Sequence, residues 1–122
     1  MGFFSTSNKK QLPWTDLTSV DQLHEVLESA ENKPVLLFKH STRCSISSMA
    51  MNSFEGQWST DNERCDLYFV DLLRHRDVSN AIAEELNVMH QSPQAILFDG
   101  SNVLYHASHS GIDARAIEKL VS

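Results

Sequence analysis

The chain has few of the features that mark the special classes of protein. Its 122 residues include two cysteines, three prolines and four glycines, too few cysteines for a secreted disulfide framework or for a zinc site with four ligands. No apolar run approaches the roughly 20 residues that span a bilayer. The first residues lack the basic start and the apolar stretch of an export signal. These absences predict a cytoplasmic protein that does not associate with membranes.

Positive charge is also scarce. Ten Lys and Arg stand against sixteen Asp and Glu, which gives a formal net charge of -6. No basic stripe interleaved with aromatic residues is visible, so nucleic acid is not an expected partner. A chain of this length buries roughly two thirds of its unfolded surface, so it is expected to fold on its own core.

The chain reads as one domain with a short extension. Residues 1–13 are polar, weakly patterned and end at Pro13, which predicts a flexible N-terminal lead-in. Residues 14–122 are predicted to form a single domain. Within it, Ser19 and Gln22 have the spacing of a capping box, so a helix is expected to begin there.

Apolar runs and helical spacings alternate along the rest of the domain. The predicted elements after the first helix are a buried strand in "PVLLFKH", a helix from Ser45 to Trp58, a strand at 66–72, a helix at 77–88 with Asp77 or Ser79 as its cap, a hairpin in "QAILFDGSNVLYHAS" and a final helix in "DARAIEKLV". In the second helix Ile46, Ala50, Phe54 and Trp58 recur every four residues and are expected to face the core. The order predicts an α/β fold, with a central mixed sheet of four or five strands and helices on both faces.

Cys44 stands where catalytic residues of such sheets are commonly found. It follows a predicted parallel strand, and ligands gather at the carboxyl ends of such strands. It also precedes a helix, whose N-terminal amides favour a thiolate, as does the charge of Arg43. A small buried hydrophobic residue is the alternative, but the neighbours of Cys44 are mostly polar. We therefore expect Cys44 to be a nucleophile.

The second cysteine is not placed to assist the first. Cys65 is expected to start the next parallel strand, at the other end of a helix about 20 Å long, whereas a disulfide needs α-carbons within about 7 Å. Ser47 occupies the position at which a dithiol enzyme carries its second cysteine. A mixed disulfide formed on Cys44 must then be released by an external thiol.

Three segments carry a resemblance to a known family. The stretches "KHSTRCSISSMA", "HQSPQAILFDGSNVLYHASH" and "SHSGIDARAI" occur in an order that resembles the YtxJ-type monothiol bacilliredoxins, thioredoxin-like proteins of the bacillithiol system. The resemblance runs from about Trp14 to the C-terminus. Ser45 replaces the proline of the family's TCPIS signature.

The resemblance implies a thioredoxin-like fold and a monothiol exchange reaction. Cys44 would attack the bacillithiol sulfur of a bacillithiolated protein, so the partners are bacillithiolated or otherwise oxidised proteins. Bacillithiol is then a co-substrate, and no bound cofactor is expected. The resemblance also implies that Pro93 is cis beside Cys44 and that the backbone of Ser92 pairs with an incoming peptide. The expected supporting residues are Arg43, Thr42, Ser45, Ser47, Ser92 and Pro93.

Basic residues near the same edge are candidates for binding the small thiol. Bacillithiol carries the carboxylates of a malate group, and Arg74, His75 and Arg76 follow the strand at 66–72; a purely solvated loop is the alternative. The candidates for binding the thiol are His40, Arg74, Arg76 and His109. The histidines show no Cys or His at metal-ligand spacing, so no metal site is predicted.

Two other functions fit a single active cysteine on such a fold. Monothiol glutaredoxins hold an iron–sulfur cluster between two subunits, and Cys44 is the one cysteine well placed for this. A non-catalytic protein-binding module is the other alternative, because a fold does not determine a function.

Overall fold

The computed structural model describes residues 12–41, 43–59 and 63–121. Residues 1–11 of the lead-in expected at 1–13 lie outside the described residues. Thr42 lies outside them as well. Leu12, at the end of that segment, is buried against the core. The elements are β1 (Thr15–Asp16), α1 (Val20–Ser29), β2 (Val35–His40), α2 (Ser45–Gln57), β3 (Asp66–Asp71), α3 (Arg76–Leu86), β4 (Gln94–Phe98), β5 (Val103–Ser108), a 3-10 turn (His109–Gly111) and α4 (Ala114–Val121).

Within the described residues the strands form one mixed sheet in the order β1-β3-β2-β4-β5. The first three of these neighbours run parallel, and β4 pairs antiparallel with both β2 and β5. The two-residue strand β1, Thr15–Asp16, lies at one edge of the sheet. The prediction of an α/β fold with a mixed sheet is confirmed.

A layer of apolar side chains lies on each face of the sheet. One contains alternate residues of β2, such as Leu36 and Phe38, with side chains of α2 and α4. The other contains Val35 and Leu37 with side chains of α1 and α3. Because side chains alternate along a strand, the fully buried run of β2 supplies both layers. The predicted placement of helices on both faces is confirmed.

Local signals explain where α1 begins, but not where α3 begins. The hydroxyl of Ser19 accepts a hydrogen bond from the Gln22 amide at 3.1 Å, as a capping residue does. In α3 the expected caps are wrong, because His75 precedes the first helical residue and Ser79 is buried inside the helix. That helix ends at Leu86, and the next residue, Asn87, adopts the left-handed conformation.

Helix α2 buries most of the face that was predicted, since Phe54 and Trp58 lie in the core and Ala50 packs against it, but not Ile46. Its buried residues are Ser47, Met51 and Phe54, and Trp58 follows at its end. Ile46, expected in the core, is 58% exposed. The predicted set that starts at Ile46 and the set Ser47, Met51 and Phe54 both have helical spacing. The sheet covers the second set.

No helix in the described part of the chain combines the length and the apolar character that crossing a membrane requires.

Candidate active site

Cys44 lies in the turn between β2 and α2. Its amide donates to the carbonyl of Ser41 at 3.1 Å, and its own carbonyl accepts from the Ser48 amide at 3.0 Å. Cys44 is the residue immediately before the helix, and its side chain makes no capping hydrogen bond. The thiol is partly exposed, beside the positive end of the α2 dipole. This position suits a nucleophile.

The strand register brings the Ser92–Pro93 bond to the same place. Phe38 pairs with Ala95 and Lys39 with Gln94, so the pairing of β4 with β2 ends at the residue after Pro93 and at the residue before His40, close to the turn. The Ser92–Pro93 peptide bond is cis, as the resemblance implies. Ser92 and Pro93 therefore flank the turn that carries Cys44.

His109 belongs to this edge as well. Its amide donates to the Pro93 carbonyl at 3.0 Å, and its backbone has a positive φ of 54°. The side chain is exposed and lines a groove next to α2.

Ser47 joins the active-site turn to the helix. It is 1% exposed, and its hydroxyl oxygen accepts a hydrogen bond from the Ser41 amide at 3.3 Å. Ser41 is also the acceptor for the Cys44 amide. Ser47 therefore stabilises the turn, whereas Ser45 and Arg43 are exposed on either side of Cys44.

His40 is buried below the turn. It is 7% exposed, its ring centroid lies 5.5 Å from that of Phe69, and its Nδ1 has no hydrogen-bond partner among the described residues. Burial lowers the pKa of His40, and the nearby charge of Asp71 opposes that shift. The ring is therefore held neutral near neutral pH. Its assignment as a contact for the small thiol stays a prediction.

The three neighbouring basic residues Arg74, His75 and Arg76 do not share one environment. Arg74 and His75 line a cleft of about 120 Å³ that also contains Asp16 and Asp71, so acidic groups offset their charge. Arg76 begins α3, and its charge contributes to lowering the pKa of His90, after burial and the charge of Lys39. Arg76 is therefore the one of the three nearer to the segment before Pro93.

Cys65 lies at the opposite end of the sheet. It immediately precedes β3, whose first residue pairs with the first residue of β2. It is 4% exposed, and burial raises the pKa of its thiol to about 12. The six-residue length of β2 corresponds to about 20 Å. Cys65 is therefore buried at a distance from which it cannot act on Cys44.

Sequence reasoning missed two features of the site. The first is an apolar groove of about 300 Å³ between α2 and the 3-10 turn, lined by Ile46, Met49, Ala50, Ser53, His109, Ser110 and Ile112. The spacing of Ile46, Met49 and Ser53 marks a second face of α2 and could have indicated it. The second is Lys39, which is fully buried. A lysine inside the apolar run "PVLLFKH" was the available signal.

A metal centre finds no support in this arrangement. Among residues 12–41, 43–59 and 63–121, no three His, Cys, Asp or Glu side chains are grouped as metal ligands.

Comparisons with known proteins agree with the geometry. The model of the family described as monothiol bacilliredoxin BrxC matches residues 15–117. A solved structure of a protein with a thioredoxin fold, proposed to be an oxidoreductase, is 33% identical and covers 87% of this chain and 91% of its own, with a TM-score of 0.70.

Two thioredoxins show likeness of fold alone. A point mutant of the thioredoxin from Halobacterium salinarum is 14% identical, covers 92% of both chains and has a TM-score of 0.65. Schistosoma mansoni thioredoxin is 15% identical, covers 88% of this chain and 92% of its own and has a TM-score of 0.64.

Proposed function

This chain belongs to the monothiol bacilliredoxin family, and we propose that it removes bacillithiol from protein mixed disulfides through Cys44. Family and fold make it a thioredoxin-like thiol oxidoreductase. The substrate and the monothiol mechanism are the proposal. The observation that carries it is the separation of a partly exposed Cys44 from a buried Cys65 at the other end of the sheet.

The reaction is two exchanges of one disulfide bond. The Cys44 thiolate attacks the bacillithiol sulfur of the mixed disulfide, and a new bond forms between these two sulfurs. The old disulfide bond breaks, and its electron pair leaves with the substrate cysteine, which takes up a proton. A second low-molecular-weight thiol then attacks the bacillithiol sulfur on Cys44 and releases the thiolate. The disulfide is passed on at each step, so no outside oxidant is needed.

Neighbouring residues support both steps. The positive end of the α2 dipole lies at Cys44, whose sulfur is the nucleophile in the first step and the leaving group in the second. We assign the backbone of Ser92, beside cis Pro93, to pairing with the substrate protein. Arg43, Arg76 and His109 are the residues we assign to the carboxylates of bacillithiol. His40 is buried and Arg74 lies among carboxylates, so we give them lesser roles.

A cytoplasmic location is part of the proposal. A reducing compartment keeps single cysteines out of disulfides, and the first exchange requires a reduced Cys44.

Transfer of the bacillithiol adduct from one protein to another tests the function. Reduced protein is mixed with a bacillithiolated model protein, and both intact masses are followed over time. We expect the adduct to leave the model protein and to appear on Cys44. Cys44→Ser abolishes transfer, and Cys65→Ala is the matched control that retains it. If no adduct moves from the model protein to the wild type, the proposed function is wrong.

A further inference from the structure

Lys39 is a buried cation with an unusual set of neighbours. It is 0% exposed, and its Nζ lies 3.2 Å from Nδ1 of His90. In the described part of the chain it forms no ion pair. A buried charge without a carboxylate is costly, and an apolar side chain of similar length would avoid that cost. The contact with His90 is therefore the feature to explain.

A second buried polar side chain lies directly beside Lys39. Gln94 is its partner in the pairing of β2 with β4 and is 2% exposed. Its Nε2 donates to the Met89 carbonyl at 3.0 Å, and its Oε1 accepts from the Gln91 amide at 3.3 Å. The side chain of Gln94 thus holds the backbone on both sides of His90.

Helix α3 adds a further contact to the same histidine. The Ser79 hydroxyl lies 3.3 Å from Nδ1 of His90, and Ser79 is fully buried. Side chains from three elements therefore meet the segment 89–91. The segment continues directly into Ser92 and cis Pro93, which flank the turn that carries Cys44.

We propose that Lys39 and Gln94 are positioning residues that hold the segment 89–92 in place for binding of the substrate protein beside Cys44. The inference rests on the proposed function. Lys39 acts through His90, and Gln94 acts through the backbone of Met89 and Gln91. Lys39 shares the face of β2 that Val35 and Leu37 present to α1 and α3, whereas α2, which follows Cys44, packs on the other face of the sheet.

The protonation states of the pair suit this role. An ammonium donates and a neutral imidazole nitrogen accepts. Burial lowers the pKa of Lys39 to about 8, so the ammonium form predominates near pH 7. Burial and the charges of Lys39 and Arg76 lower the pKa of His90, which keeps its ring neutral there. The hydrogen bond is then charge-assisted, the stronger kind.

Kinetics of bacillithiol transfer test the inference. We expect Lys39→Met and His90→Ala to raise KM for a bacillithiolated model protein about tenfold, as loss of one hydrogen bond to a charged group would. The rate constant for alkylation of Cys44 by iodoacetamide stays within about twofold, because a small reagent needs no substrate surface. In His90→Asn the Oδ1 can accept a hydrogen bond from Lys39, so we expect KM to stay close to the wild-type value. His106→Ala, at an exposed histidine of β5, is the matched control and leaves KM unchanged.

Hydrogen exchange gives a readout that needs no substrate. In Lys39→Met and His90→Ala we expect faster amide exchange across 89–92 and unchanged exchange in α1. If exchange in that segment is unaltered, or if KM is unaltered while the wild type transfers bacillithiol, the inference is wrong. A wild type that transfers nothing contradicts the proposed function instead, and exchange then reports separately whether Lys39 holds the segment.

Discussion

At the scale of single residues, the two cysteines differ because of what surrounds them. Cys44 is partly exposed at the start of a helix, whereas Cys65 is buried and its thiol has its pKa raised to about 12 from an ordinary 9.0. Thiolate is the reactive form. A shift of this size lowers the thiolate fraction of Cys65 about a thousandfold below that of an ordinary thiol.

Alkylation should therefore distinguish the two thiols. With iodoacetamide at pH 8 we expect one adduct to form on the folded protein, at Cys44, and the second to appear only after unfolding in urea. Intact mass followed by peptide mapping measures both. Cys44→Ser should take up no adduct while folded. Two adducts forming at equal rates would contradict the burial of Cys65.

Lys39 and Cys65 also predict how stability depends on pH. Between pH 8 and 10.5 the folded chain has lost the Lys39 proton and the unfolded chain retains it, so the free energy of unfolding rises with pH. Above pH 9 the unfolded chain loses the Cys65 proton that the folded chain keeps, so the free energy of unfolding falls. The two effects oppose each other from pH 9 to 10.5.

We expect the wild type to gain about 1 kcal/mol of stability from pH 8 to 9, relative to Lys39→Met. Urea unfolding of both proteins at pH 7, 8, 9 and 10 measures the difference. Groups that titrate in both proteins cancel in this comparison. If the free energy of unfolding depends on pH in the same way in both proteins, burial does not destabilise the Lys39 ammonium.

At the scale of elements, α2 shows what periodicity leaves undecided. The set that starts at Ile46 and the set that starts at Ser47 both recur at helical spacing and both include Phe54. Helical spacing alone does not say which set the sheet covers. The exposed side chains of Ile46 and Met49 instead line the apolar groove between α2 and the 3-10 turn.

The first turn of α2 should accommodate a proline at position 45. Ser45 is the first helical residue, where the amide has no partner within the helix. Cys44 has φ of -104° and ψ of 121°, which suits a residue before proline. We expect Ser45→Pro to stabilise the protein by about 0.4 to 1 kcal/mol through the unfolded state, measured by urea unfolding. Ser48→Pro, inside the same helix, is the control and should be destabilising by about 3 kcal/mol. A loss of stability in Ser45→Pro would mean that the Ser45 amide has a partner that matters.

At the scale of the whole molecule, the sheet separates the two cysteines. Parallel pairing of β2 with β3 puts Cys44 beyond the carboxyl end of one strand and Cys65 before the amino end of its neighbour. The strand length of about 20 Å between them exceeds what a disulfide allows.

Oxidation should therefore produce no bridge within one chain. With diamide and no small thiol present, we expect disulfide-linked dimers through Cys44, seen on a non-reducing gel and absent in Cys44→Ser. The mass of the remaining monomer should not fall by two hydrogens. A monomer that has lost two hydrogens would require the two ends of the sheet to approach each other.

The sequence by itself determined the order of the elements, the mixed sheet, the place of Cys44 before a helix and its lack of a resolving partner. These follow from local properties, namely apolar periodicity, capping residues and residue spacing. The capping of α3 is an exception, because His75 and not Asp77 or Ser79 precedes the helix.

Only the tertiary structure decided that Ile46 of α2 stays exposed, that Arg74 and Arg76 have different surroundings, and that Lys39 contacts His90. Lys39 and His90 are 51 positions apart, and Trp14 donates to Glu55 across 41 positions. Such contacts depend on which strands pair and in which register, and that is decided by the summed packing of the two apolar layers. No short stretch of sequence contains that sum, so the neighbours of a buried lysine become known only when the sheet is assembled.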